Sequence, residues 1–263
     1  MNFRRKLSAV AIGAALALSA SFASASPINL GGVIIDPASP FDFLASSNLF
    51  ERVIKNIGDT AQGFGLVTRL NETDQSTFCP NCELTFTFDS FTLIDPDPNH
   101  LLFTGGNVNF YVQDKSAPGF TAFDAANAAT AGDGTLFLSL KGHTDTRFGY
   151  SGPGTLFGNI DSGTLGSGTE RGKGGGLLDV VGGLAAKNFD TDTILDSAGN
   201  RADLNFTSTF FQNTDTRPGS PGLAGTANFQ GKTVPEPGTV FLIGVGLLGF
   251  GLRAKRRNKD ATV

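Results

Sequence analysis

The sequence predicts an all-β fold, an antiparallel β-sandwich or barrel with one or two short helices, between two apolar terminal segments. Runs with alternating apolar residues recur along the middle of the chain, turn residues separate them, and helical periodicity is scarce. The chain also has 24 Phe, two Tyr and no Trp. Because Phe at alternating strand positions is typical of a core, we expect most of these rings to be buried.

The N-terminal segment has the order of a secretory signal peptide. Basic residues at 4–6 precede an apolar run over 7–20, and Ala23 and Ala25 form a small-x-small cleavage site. The alternative is a membrane anchor, but the run is shorter than the ~20 residues that span a bilayer. We therefore predict a signal peptide over 1–25 that engages the Sec translocon and is removed by signal peptidase.

Five runs predict strands in an exported domain over 26–213. Residues 84–93 alternate with a phase slip at Asp89-Ser90, which indicates a bulge or a bend. The other strands are predicted at 63–70, 108–112, 135–140 and 204–211. Turn sequences separate them, namely Asp95-Pro96-Asp97-Pro98, Gly105-Gly106 and Gly132-Asp133-Gly134.

Two stretches favour helices and two favour flexible chain. Residues 48–57 place apolar side chains on one face behind a capping Ser47 or Asn48, and a shorter helix is predicted at 123–129. Glycine dominates residues 150–183, which predicts a long flexible loop. Residues 214–233 predict a flexible linker that follows the exported domain.

Cys79 and Cys82 are the two cysteines of the chain. In an oxidising compartment, a pair this close predicts a disulfide that clamps the loop before the strand at Leu84. The spacing also fits a thioredoxin-like redox motif, but such motifs begin a helix, and here a strand follows. A zinc site would need two more ligands, and His100 and His143 stand at spacings that match no zinc finger.

The remaining chemical motifs are incomplete. Residues 190–196 begin like a calcium loop, but its fifth and twelfth positions hold Ile194 and Arg201. Asp95 and Asp97 could share one ion, although the neighbouring prolines explain them equally well as a turn. We predict no cofactor, no metal and no enzymatic activity. A carbohydrate- or calcium-binding module is the alternative, and a secreted hydrolase is less favoured.

The C-terminal segment combines three ordered parts. Pro235, Glu236 and Pro237 form an extended neck, and the apolar or glycine residues 239–252 predict a transmembrane helix. That helix is ~21 Å long, against a hydrocarbon core of ~30 Å, which makes it a weak anchor. Because positive charges stay cytoplasmic, the tail places the body outside the inner membrane. The basic residues are Arg253, Lys255, Arg256, Arg257 and Lys259.

Residues 234–259 resemble the PEP-CTERM sorting signal, and Pro235, Glu236 and Pro237 match its motif residue for residue. The resemblance implies recognition by an exosortase, a membrane-embedded cysteine transpeptidase, after a transient stay in the inner membrane. It further implies removal of the tail and delivery to the surface or extracellular polysaccharide matrix of a Gram-negative bacterium.

The exported body is acidic. Of the 20 basic and 24 acidic residues, 12 and 23 lie in residues 26–237, which gives this part of the chain a formal charge near −11. Nucleic acid is therefore excluded as a partner, since phosphate binding needs the opposite sign. The body also resembles flocculation-associated exoproteins of the PEP-CTERM group, which implies a role in cell aggregation beside exopolysaccharide and supplies no catalytic residue. The stretches that carry this resemblance are 58–65, 74–84, 134–140 and 202–208.

Overall fold

A computed structural model describes residues 27–36, 43–119, 128–215 and 220–234. Strands dominate this part of the chain, as the sequence predicts. They are β1 Ile28–Leu30, β2 Val33–Ile35, β3 Phe43–Glu51, β4 Thr60–Leu70, β5 Thr73–Asp74, β6 Cys82–Asp95, β7 Leu101–Asp114, β8 Thr135–His143, β9 Asp145–Thr146, β10 Pro153–Gly154, β11 Leu156–Ser162, β12 Arg171–Gly182, β13 Ile194–Leu195, β14 Arg201–Ala202, β15 Leu204–Gln212 and β16 Leu223–Gly231.

The helical elements of the described residues are single turns. They are α1 Gln75–Phe78, the 3-10 helix Ala128–Ala131 and α2 Ala186–Phe189. The prediction of an all-β fold with short helices is therefore confirmed.

The main sheet closes on itself. Eight antiparallel strands follow one another in the order β12, β15, β16, β3, β4, β6, β7 and β8, and β8 pairs back onto β12. Where β8 does not reach, β11 fills the space between β7 and β12, pairing with Leu101–Phe103 on one side and with glycines of β12 on the other. Of the two predicted architectures, the closed ring is the barrel.

Phenylalanine rings fill the interior of this ring. The rings of Phe86, Phe110 and Phe229 contact one another with centroids 4.8–5.5 Å apart, and Phe206 lies 5.0 Å from Phe229. Phe86, Phe110 and Phe229 are fully buried. Tilted and edge-on contacts of this kind are favourable for aromatic pairs. The predicted Phe core is therefore present.

Glycines on neighbouring strands make room for these rings. A β carbon at Gly63 would lie 2.6 Å from the Phe88 ring, and one at Gly172 would lie 2.5 Å from the Phe210 ring. Gly65 has the same relation to Phe86. Glycine within a strand often marks such close approach, so these strand glycines and the rings that face them have one structural cause.

The bulge predicted at Asp89-Ser90 is confirmed within β6. Ser90 has a φ of +62°, and the β4–β6 pairing shifts by one residue between the pairs Gly63/Phe88 and Ala61/Phe91. The turn predicted at Gly105-Gly106 is wrong, because both residues lie inside β7. Their φ values of +74° and +94° bend this strand opposite the bulge.

The helix predicted at 48–57 is also wrong, since β3 extends to Glu51 and no helix follows in the described connection to β4. The inner face of β3 includes Ala45 and Ser47, and these small residues hide the alternation that identifies a strand. Residues 123–127 of the second predicted helix lie outside the described residues, and Ala128–Ala131 is the 3-10 turn.

The glycine-rich stretch at 150–183 is largely strand, not loop. It contains β10, β11 and β12, and β12 pairs with three neighbours. Its glycines allow close packing, since a β carbon at Gly174 would lie 2.8 Å from the Ser208 hydroxyl. Intrinsic flexibility is therefore overridden by pairing on both sides.

The flexible linker predicted at 214–233 is wrong over β16. This strand pairs along its whole length with β15 on one side and with β3 on the other. Small residues dominate it, and a β carbon at Gly225 would collide with the backbone of Thr209. The exported domain therefore extends beyond 213 and includes the last strand of the described chain.

Candidate functional site

The cysteine pair forms a disulfide between α1 and the first residue of β6. Cys79 and Cys82 are bonded, with Cα atoms 5.0 Å apart, and both side chains are buried. The predicted disulfide is confirmed. A buried bond is poorly placed for thiol exchange, which needs access to the sulfur.

Backbone N–H groups occupy the carboxylates of Asp95 and Asp97 in the first calcium candidate and that of Asp196 in the second. Asp95 Oδ1 accepts from Asp97 N at 3.0 Å, and Asp97 Oδ1 accepts from Asn99 N at 2.9 Å, which forms a turn. Near the second candidate, Asp203 Oδ1 accepts from the N–H groups of Thr191 and Asp192, both at 2.7 Å. Within the described ranges, no group of three or more His, Cys, Asp or Glu is arranged to hold a metal ion.

His143 joins two acids from different elements. Its Nδ1 lies 2.7 Å from Asp179 Oδ1 of β12, and its Nε2 lies 3.3 Å from Asp196 Oδ2 in the β13–β14 turn. Asp196 is buried and also accepts hydrogen bonds from the backbone and side chain of Asn200. These two contacts tie the small hairpin of β13 and β14 to the closed sheet.

Two acids lie at one end of the barrel interior. Glu170 is buried and accepts from Gly166 N at 3.3 Å and from Ser167 Oγ at 3.0 Å. Burial, the larger cause, and the charge of Glu170 together raise the pKa of Glu51 to about 7. Both acids line a cavity of about 50 Å³.

This cavity is too small for a sugar. Ligand sites usually measure ~300–1,000 Å³, whereas a single water molecule needs only ~10–15 Å³. A glycosidase-like carboxylate pair needs the scissile bond between its two groups. The interior pair Glu51 and Glu170 therefore has room for a few water molecules and none for such a substrate.

A wider groove lies beside the connection between β3 and β4. It encloses about 1080 Å³ between residues 52–60, parts of β4 and β6, and residues 220–222. Arg52 and Lys55 are exposed along it. Its volume falls in the range of ligand sites, and its lining mixes charged, polar and apolar side chains.

The C-terminal end of the described chain is fixed to the folded body. Thr233 is buried, and the N–H of Val234 donates to the carbonyl oxygen of Asn188 at 2.8 Å. Pro235 follows directly in the sequence. The predicted sorting residues therefore come one residue after the last anchored position, and no free spacer separates them from β16.

Several predicted residues lie outside the described residues. They are Ala23 and Ala25 of the signal peptide, Pro235, Glu236 and Pro237 of the sorting motif, the helix at 239–252, and the basic residues Arg253, Lys255, Arg256, Arg257 and Lys259. In the described part of the chain, no helix is both long and apolar enough to cross a membrane.

The family comparison decides the character of this terminus. Residues 233–257 match the family model of the PEP-CTERM protein-sorting motif. The chain carries a PEP-CTERM sorting motif. This motif implies processing by an exosortase, with export to the surface or extracellular space of a Gram-negative bacterium. No curated protein and no solved structure matches the chain.

The match also bears on the junction with the body. The match to the PEP-CTERM motif begins at Thr233, which is buried. An exosortase that acts at Pro235, Glu236 and Pro237 must therefore work within a few residues of a folded strand.

The sequence reasoning missed two features. The pairing of Glu51 with Glu170 joins residues far apart in the chain, and the helix wrongly predicted at 48–57 concealed that Glu51 faces inward. The groove cations Arg52 and Lys55 carried a usable signal, since they stand close together in a body with few basic residues.

Proposed function

We propose that this protein is a non-enzymatic component of the cell surface or extracellular matrix that supports exopolysaccharide-associated adhesion, biofilm or floc formation. The observation that carries the proposal is the PEP-CTERM motif at 233–257, joined without a spacer to a closed sheet. In this proposal the Sec translocon exports the chain, signal peptidase removes the N-terminal segment, and the inner membrane holds the protein until the exosortase acts.

The architecture of the body supports a durable extracellular role. Closure of the eight-stranded ring pairs the strand edges that would otherwise template aggregation. The interior is packed with phenylalanine rings. Two cavities lined by core residues measure about 50 and 30 Å³. The buried disulfide Cys79–Cys82 suits an oxidising environment. These features favour a stable module over a carrier of a large internal ligand.

Replacing Pro235, Glu236 and Pro237 by alanine tests the proposed route. We expect the altered protein to stay uncut in the inner-membrane fraction, to disappear from the matrix fraction, and to reduce floc formation. The body offers a matched control in the exposed sequence Pro96-Asp97-Pro98. The same triple replacement there should leave sorting unchanged, because it alters a proline-acid-proline sequence outside the motif.

Two results would contradict the proposal. Normal floc formation in cells that lack the protein would remove the adhesion role and leave the sorting route intact. Release of the cut protein into the medium, with none retained by the matrix, would remove the matrix role.

A further inference from the structure

The groove of about 1080 Å³ presents two exposed cations that attract Asp59 without forming a close ion pair with it. Arg52 and Lys55 line it and are exposed. Within the described residues neither forms an ion pair within 4.0 Å, whereas Arg69, Arg147 and Lys173 do. In a body with a charge near −11, two exposed cations without a close ion pair in one groove are a feature to be explained.

The acids of the same groove are already occupied. Asp59 Oδ2 accepts the backbone N–H groups of Lys55 and Asn56 at 2.8 and 2.9 Å. Asp89 Oδ1 accepts the Ser90 hydroxyl at 2.6 Å. These bonds shape the loop and the bulge. The groove acids are therefore committed to local structure, while its cations are available to a ligand.

Neutral hydrogen-bonding groups and an apolar surface complete the lining. Gln62 and Thr87 are partly exposed in the groove, and their side chains form no hydrogen bond with other described residues. Val53 and Pro221 contribute apolar contact, and a β carbon at Gly222 would collide with Val53. Donors beside an apolar wall suit a ligand that has both hydroxyl groups and C–H faces.

We propose that this groove binds an acidic oligosaccharide, with Arg52 and Lys55 holding a uronate carboxylate and with Gln62 and Thr87 bonding to hydroxyl groups. The guanidinium fork fits a carboxylate, and the volume admits several sugar rings. The choice of a sugar rests on the proposed matrix function.

Calorimetric titration of the exported protein with oligogalacturonate tests this inference. We expect saturable binding that weakens as salt rises, and no binding of a maltooligosaccharide of equal length. The double variant Arg52→Gln/Lys55→Gln should weaken binding by about tenfold per lost charge-assisted contact. Lys115→Gln/Lys187→Gln removes the same charge outside the groove and is the matched control. Thermal unfolding of each variant verifies that the fold is kept.

Three outcomes would overturn the inference. These are no binding of the acidic oligosaccharide, equal binding of the neutral one, and an equal loss of affinity in the two double variants. None of them bears on matrix retention, which is measured separately by fractionation. The experiments therefore distinguish a failure of the proposed oligosaccharide binding from a failure of the proposed function.

Discussion

The ring of Phe86 lies against the inner side of Gly65 on the neighbouring strand. A β carbon at Gly65 would stand 2.5 Å from ring atom Cζ, closer than side chains approach one another. Phe86 is fully buried and in contact with two further rings, so it has no room to retreat.

We therefore expect Gly65→Ala to lower the free energy of unfolding by about 2 kcal/mol or more, as overpacking of a core does. Gly182→Ala is the matched control, because β12 leaves no heavy atom within 4 Å of a β carbon at that position. Denaturant unfolding of both variants measures the difference. Equal stabilities would contradict the close packing of glycine against rings.

Glu51 should make the stability depend on pH. Its pKa rises from 4.5 to about 7 in the fold, so between these values the native state holds a proton that the unfolded chain has released. Stability from this group is complete below pH 4.5 and is lost as pH rises through about 7. At pH 8.5, Glu51→Gln should therefore stabilise the protein by up to about 3 kcal/mol.

Unfolding by denaturant at pH 4.5 and at pH 8.5 separates the two states of Glu51. The gain in Glu51→Gln should be small at the lower pH and large at the higher one. Exposed Glu72→Gln is the control and should show no such dependence. If the stability of Glu51→Gln varied with pH in parallel with that of the parent protein, the result would contradict the buried position of this acid.

Asp196 should give the stability of the protein the opposite dependence on pH. The side-chain hydrogen bond from Asn200 is the main interaction that lowers its pKa below 3.8, and the bond from His143 adds to it. Its stabilisation is present above pH 3.8 and is lost as pH falls. Asp196→Asn should reduce stability at pH 7, and the difference should narrow in acid. Asp133→Asn, on an exposed turn, is the control for thermal unfolding across this range.

Removal of the disulfide should have a modest effect. The bond between Cys79 and Cys82 closes a very short loop, for which chain entropy contributes about 2 kcal/mol. We expect the variant Cys79→Ala/Cys82→Ala to fold. Its free energy of unfolding, measured with denaturant, should be lower by that amount. Reduction of insulin by the native protein would instead indicate a redox role.

Strands with alternating large residues could be predicted from the sequence, and strands made of small residues could not. Residues 84–93 show their pattern directly, and they form most of β6. In β12 and β16 several buried positions hold glycine or alanine beside a few large residues such as Leu178 and Phe229, so the sequence favours loop or linker. Aromatic rings from other strands fill the interior next to these small residues, so the reason for the small residues cannot be read from the strand itself.

The candidate sites divide in the same way. The sorting motif is continuous, so its three residues and the basic cluster could be identified without a structure. The pair Glu51 and Glu170 depends on β3 meeting the segment before β12 inside a closed ring. The groove needs β4, β6 and residues 220–222 in addition to the connection that bears Arg52 and Lys55.

The position of β16 governs when the molecule can fold. Gly231, near the end of the described chain, pairs with Phe43, near its beginning. Strand β16 lies between β15 and β3, so these two strands are not joined until β16 has paired with both. Contacts so distant in sequence make folding slow. The ring therefore stays open until residues 223–231 have joined it. We therefore expect resistance to extracellular proteases to begin only when β16 has paired, even if the earlier strands have already paired with one another.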